Sequence, residues 1–346
     1  MSWREIGEFG FIRRIEEGCL ARPADVVTPI GDDAAGFYPP ADAVTLMTTD
    51  MLVERVHFFR DRISGEDLGH KALAVNLSDI AAMGGTAREA FVSIAIPRSC
   101  DLDYLDGIYD GLKALANRFS VNILGGDTTG SKADLIINIV VTGMVAEGEM
   151  LRRSGARPGD VLCVTGPVGE SRAGLHLIVN DLPADAPDCG RPPRFPTKRP
   201  RRSSQNGGLP KTSEVFRALI AAHHRPWPHL DEGRYLARAG GVRAAIDVSD
   251  GLAADLGHIL DAAGTGAEID AAAIPVTDRL RAFCEDIGVP VAEYALEGGE
   301  DYVLACSVAP DRVDDVAGGF EARFGRPLYR VGKVTEGTER TLVREN

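Results

Sequence analysis

Short β-type runs alternate with helix-length amphipathic stretches along the 346 residues. That alternation restricts the chain to α/β architectures in which helices cover sheets. A strand-like run at 43–47 is followed by a helical pattern over 66–83. A second strand at 90–96 precedes a helix carrying Leu102, Leu105, Ile108, Leu112, Leu115 and Phe119 on one face, then strands at 121–124 and 135–145. A turn-rich ARPG at 156–159 marks a boundary. Beyond it a strand at 161–164, a helix from Glu170, a strand at 244–248 and a helix over 251–263 open a second unit that continues in the same manner to Val334. One hydrophobic core rarely organises a chain of this length, so two domains are expected, 1–150 and 151–346. Only the segment 183–209 breaks the pattern. It is rich in Pro, Gly and Ser, and its centre gathers Arg191, Arg194, Lys198, Arg199, Arg201 and Arg202 without an acid, which reads as a mobile surface insertion.

The net charge of −13 argues against a nucleic-acid partner, because such a surface repels a phosphate backbone. If phosphates bind here, metal ions must neutralise them. The six cysteines are scattered, with no CxxC pair and no histidine at zinc spacing, so reduced and mostly buried thiols are expected. The longest apolar run, 135–141, is interrupted by Asn138 and is far too short to span a bilayer. With no targeting segment at the start, a cytoplasmic enzyme without a membrane partner is expected.

The chemistry concentrates in acidic groups: Gly31-Asp32-Asp33, Thr48-Thr49-Asp50, Asn76-Leu77-Ser78-Asp79, Gly125-Gly126-Asp127 and Asp247-Val248-Ser249-Asp250-Gly251. Singly, each is an ordinary turn or helix cap. Together, at strand ends, helix starts or one helix face, they offer hard oxygen ligands, which suit Mg²⁺ shared with substrate phosphates. Uncompensated acids so gathered would repel one another, and a multi-metal site explains them better than turn chemistry does. No P-loop is present, since Ser131 separates Gly130 from Lys132, and no protein-kinase signature set occurs. Backbone N–H groups near Asp127 and Ser249 would have to assist the metals.

Several motifs in series, GEFGFI (7–12), IGDDAA (30–35), TTDMLVERVHF (48–58), KALAVNLSDIAAMG (71–84), GGDTT (125–129), RSGARPGD (153–160), VTGPVGESRAGL (164–175), IDVSDGLAADLGHI (246–259) and GGEDYVL (298–304), resemble the thiamine-monophosphate kinase family in order and spacing. The match covers nearly all the chain except the basic insertion. It implies the two-domain fold of the aminoimidazole ribonucleotide synthetase superfamily: an N-terminal α/β domain that dimerises through its sheet, and a C-terminal α/β domain. ATP would lie between the domains or across the dimer interface. The resemblance further implies that Asp33, Thr48, Thr49, Asp50, Asp79, Asp127, Asp247 and Asp250 hold several Mg²⁺ ions. Tyr109, Gly126, Asp127, Arg153 and Ser249 would contact the nucleotide, and His57 and Glu300 would face thiamine monophosphate.

Family members usually continue past the position of Val343 into a short aromatic-containing tail. Here no aromatic follows Tyr329, so an aromatic contact to the thiamine rings would be missing or supplied elsewhere. A phosphate acceptor has a second pKa of about 6 and is already largely an oxyanion near neutral pH, so no general base is expected. Two rivals remain: a sister ATP-dependent enzyme of the superfamily, and a non-catalytic nucleotide or thiamine-phosphate binding protein.

Overall fold

The computed structural model describes residues 3–31, 34–39, 42–180 and 214–344, to which all statements of presence and absence below refer. Asp33, the insertion at 183–209 and Cys189 fall outside them. The chain is α/β and divides into two compact units, one of Met1–Ile80 with Gly85–Gly148, the other of Ala81–Gly84 with Glu149–Asn346.

The first unit runs α1 (Trp3–Ile15), β1 (Val26–Thr28), β2 (Gly36–Phe37), β3 (Val44–Val53), α2 (Gly65–Ala82), β4 (Thr86–Pro97), α3 (Leu102–Phe119), β5 (Asn122–Ser131) and β6 (Ile136–Val145). Its main sheet has the order β3-β6-β4-β5, with β4 and β5 parallel and the other pairs antiparallel. Two strands run further than their sequence suggests. β3 continues through Thr48, Thr49 and Asp50 because each pairs with a residue of β6, namely Val141, Val140 and Ile139. β5 absorbs Gly125-Gly126-Asp127, which pair with Phe91, Val92 and Ser93 of β4. Thus two of the acidic groups expected at strand ends lie within ladders, where cross-strand pairing overrides the turn preference of Gly and Asp.

Pleating gives this sheet two unlike faces. Leu46 and Leu52 of β3, Val92, Ile94 and Ile96 of β4, and Ile137, Ile139 and Val141 of β6 are buried on the helix side. The opposite face carries Met47, 75% exposed, and Met51, 53% exposed, with half-buried Val140, Met144 and Phe91.

α2 is buried on nearly every side, its polar residues included: Lys71, Asn76 and Ser78 are each 1% exposed or less. It meets α3 backbone to backbone. A methyl group placed on Gly69 would lie 1.8 Å from the Ile108 carbonyl oxygen, and one on Gly111 would lie 1.9 Å from that of Glu66. α3 itself starts where the Asp101 side chain accepts the Tyr104 N–H at 2.8 Å, and it stops at Ser120 in the left-handed region.

The second unit comprises β7 (Val161–Val164), α4 (Glu170–Asn180), α5 (Glu214–His224), α6 (Leu230–Arg238), β8 (Val242–Asp247), α7 (Leu252–Ala263), β9 (Gly266–Asp270), α8 (Asp278–Ile287), α9 (Val291–Leu296), β10 (Leu304–Val308), α10 (Val313–Phe324), β11 (Tyr329–Thr335) and β12 (Arg340–Val343). The six strands form one sheet, β12-β9-β11-β7-β10-β8. Its core joins Val164, Ile246 and Ala305 of the sheet to Leu219 of α5, Leu256 of α7, Phe283 of α8 and Tyr294 of α9. Phe283 anchors it, with ring contacts to His176 at 5.4 Å and Tyr294 at 6.0 Å. The five described cysteines are free and buried, and no described helix is long and apolar enough to cross a membrane.

Candidate functional site

In the first unit the acids converge because a strand and a buried helix share one interior. Alternation along β3 puts Thr48 and Asp50 on the same side as Leu46 and Leu52, facing α2. There the Thr48 hydroxyl donates to Oδ2 of Asp79. The Asp50 carboxyl is pushed up to about 6, first by burial and second by the Asp79 charge. Two carboxylates and a hydroxyl form a partly buried, hard-oxygen set in which one acid raises the other, and that chemistry suits a small divalent cation that also takes substrate oxygens.

Thr49 and Asp127 point elsewhere. Thr49 lies on the open face, its hydroxyl donating to Oδ1 of Asn138 at 3.2 Å. Asp127 is exposed and paired with Ser93, which pairs in turn with Asn138. Gly126 makes this possible: at φ +148° it runs so close to β4 that a methyl group would lie 1.8 Å from the Val92 carbonyl oxygen. Tyr109 is only 3% exposed and packs edge-on to Phe11 at 5.7 Å, and burial raises its hydroxyl's pKa, so its side chain belongs to the core of this unit. His57 is held in the turn after β3. Its Nδ1 accepts the Val53 N–H at 3.0 Å, and the main-chain N–H of His57 donates to the Val53 carbonyl at 2.9 Å.

In the second unit two loops run side by side. Glu300 N–H donates to the Ser249 carbonyl at 2.8 Å and Tyr302 N–H to that of Val248 at 2.9 Å, so Asp247, Ser249, Asp250 and Glu300 are neighbours along one strip. Asp247 ends β8 at 3% exposure, whereas Asp250 is exposed. Ser249 is not the cap of α7. Gly251 holds that position, and Oδ2 of Asp255 accepts the N–H groups of Asp250 and Gly251 at 3.1 and 3.0 Å. Burial pushes the Asp255 carboxyl up to about 6. Arg153 is exposed on a segment whose preceding carbonyl, that of Arg152, accepts the Ala245 N–H of β8 at 2.9 Å.

The acid beside Glu300 escapes a reading of the sequence motif. Asp301 accepts the N–H of Gly169 at 2.6 Å and that of Ser171 at 3.3 Å, at the start of α4. Burial raises its carboxyl to about 8 despite those bonds. Glu300 and Tyr302 flank it at φ +63° and +53°, strain of a kind that collects at binding sites. The two glycines before the acid pair in GGEDY were the available signal. Nothing in the sequence announces that the acid caps α4, some 130 residues away.

The described residues contain no group of three or more His, Cys, Asp or Glu side chains placed to hold a metal, so the acids are presented in small sets within each unit.

Residues 31–145 match the AIR synthase related protein N-terminal domain, and residues 157–345 match its C-terminal domain. The thiamine-monophosphate kinase of Salmonella typhimurium is 36% identical over 338 residues, 96% of this chain and 92% of that protein. The chain belongs to the thiamine-monophosphate kinase family. Solved structures agree. Thiamine-monophosphate kinase from Stenotrophomonas maltophilia superposes with a TM-score of 0.79 at 31% identity, covering 97% of this chain and 96% of that one. AaThiL complexed with AMPPCP and TMP gives 0.72 at 28% identity over 99% and 95% of the two chains.

Proposed function

We propose that this member of the family transfers the γ-phosphoryl group of ATP to the phosphate of thiamine monophosphate, giving thiamine diphosphate and ADP. The observation that carries the reading is the 36% identity to a thiamine-monophosphate kinase over 92% of that enzyme's length. The acceptor is already an oxyanion near neutral pH, so the chain must align two anions rather than deprotonate one. In this reading Thr48, Asp50 and Asp79 hold Mg²⁺ in the first unit, as do Asp247 and Asp250 in the second. Asp33, Thr49 and Asp127 are assigned to the same task. Bound there, Mg²⁺ neutralises phosphate charge. Gly126 and Ser249 offer backbone groups to the nucleotide and Arg153 offers an exposed guanidinium, while His57 and Glu300 face thiamine monophosphate. Tyr109 would serve the nucleotide only from within the core, by fixing α3.

The test mixes purified protein, ATP, Mg²⁺ and thiamine monophosphate and follows ADP and thiamine diphosphate together. Equal, acceptor-dependent formation of both is expected. ADP without thiamine diphosphate would favour a sister enzyme, and binding without turnover a non-catalytic protein.

A homodimer belongs to the same proposal. Met47 and Met51, with Val140 and Met144, make an apolar open face on the first unit's sheet, and a second copy of that face is its natural cover. Light scattering should report twice the 36.9 kDa chain mass. Met47→Lys with Met51→Lys should return it to one, and an unchanged mass would remove this face from the interface. A cytoplasmic location fits the free, buried cysteines.

A further inference from the structure

A buried side chain outside the assigned set, His223, reaches Glu300, and a second, Ser171, backs it. α4 and α5 touch through Gly174, where a methyl group would lie 2.2 Å from the Leu219 carbonyl oxygen and 2.9 Å from Cβ of His223. That close approach seats His223 on the face of α4 that carries Ser171, one turn before Gly174. Nδ1 of His223 then stands 3.0 Å from Oγ of Ser171 and 3.1 Å from Oε2 of Glu300. Ser171 is 1% and His223 4% exposed, whereas the Glu300 side chain keeps 27% of its surface open. A buried pair thus grips an acid whose side chain stays partly open. A proton on Nδ1 lets one nitrogen face a carboxylate and a hydroxyl oxygen together. Glu300 also needs a restraint, because its φ of +63° is costly for a residue with a side chain.

We propose that His223, backed by Ser171, is a positioning residue for thiamine monophosphate: it fixes the Glu300 carboxylate toward the positively charged ring portion of that substrate. An acid cannot meet a phosphate without a cation between them, so the thiazolium and the aminopyrimidine are the groups it suits. The inference rests on the reading that Glu300 faces this substrate, and the variants separate the two.

Steady-state kinetics on the full chain would compare Glu300→Gln, His223→Leu, His223→Asn and the double variant His223→Leu/Glu300→Gln. Loss of a hydrogen bond to a charged group predicts that Glu300→Gln and His223→Leu each raise KM for thiamine monophosphate by roughly 10- to 100-fold, with KM for ATP unchanged. His223→Asn carries an amide N–H where Nδ1 stands and should stay within about threefold of the parent. The double variant should be no worse than Glu300→Gln alone, since both remove one contact. An unchanged KM in Glu300→Gln would overturn the reading of Glu300 and the proposal with it. A raised KM in Glu300→Gln beside a parent-like, folded His223→Leu would overturn the positioning role alone. So would an equal rise in both KM values for His223→Leu, or a failure of His223→Asn to restore binding. Should His223→Leu not fold, Ser171→Ala and His223→Asn carry the same comparison.

Discussion

Asp79→Asn is expected to lower turnover by at least about 10²–10³-fold, the loss seen when one charge-stabilising group leaves a transfer site. The protein should stay folded, because an amide oxygen still accepts the Thr48 hydroxyl that now reaches Oδ2 of Asp79. What disappears is one negative charge in a partly buried set where Asp50 already responds to its neighbour by a carboxyl pushed up to about 6. At neutral pH, above that value, Asp50 is ionised against burial and like charge, which costs stability when no cation is bound. Asp50→Asn should therefore be as inactive as Asp79→Asn, yet in chelator it should melt a few degrees above the parent protein, a gain of about 1 kcal/mol after allowance for solvent screening. Thermal unfolding in EDTA, beside the coupled assay, reads both effects. Near-parent turnover in folded Asp79→Asn would remove this acid from the metal set.

The second large effect concerns the helix that carries Asp79. Gly69→Ala or Gly111→Ala places a methyl group within 2 Å of a backbone carbonyl oxygen on the facing helix. Side chains can rotate out of such an overlap, but a helix backbone cannot, so α2 and α3 must separate along their length. The cost should reach or exceed the upper end of overpacking penalties, about 3 kcal/mol. Urea unfolding followed by circular dichroism should show a lowered midpoint for each variant, and activity should fall as well, since α2 positions Asp79 against Thr48. A midpoint within error of the parent would mean that the two helices can part at little cost.

A helical pattern made α2 legible within a residue, Glu66 against Gly65, and an apolar stripe made α3 legible as far as its last residue, Phe119. The fold class followed from the same alternation. The ladder through Thr48-Thr49-Asp50 and through Gly125-Gly126-Asp127 did not, because Gly and Asp carry turn preferences that only their partners on β6 and β4 override. The site was legible where acids sit in recognisable groups. It was not legible where the contacts are remote in sequence: the capping of α4 by Asp301, the seating of His223 beside Glu300, and the burial of Tyr109 against Phe11 each join residues about 80 to 130 positions apart.

β3 reads differently from its two sides. Every second residue, Thr48 and Asp50, looks inward to α2, and the residues between, Met47, Thr49 and Met51, look outward. Deleting one residue ahead of Thr48 while the ladder with β6 held would turn the acid out to solvent and a methionine into its place. The strand's parity is therefore under two independent demands at once, and a lineage of this protein could lengthen or shorten its loops freely while β3 admitted changes only two residues at a time.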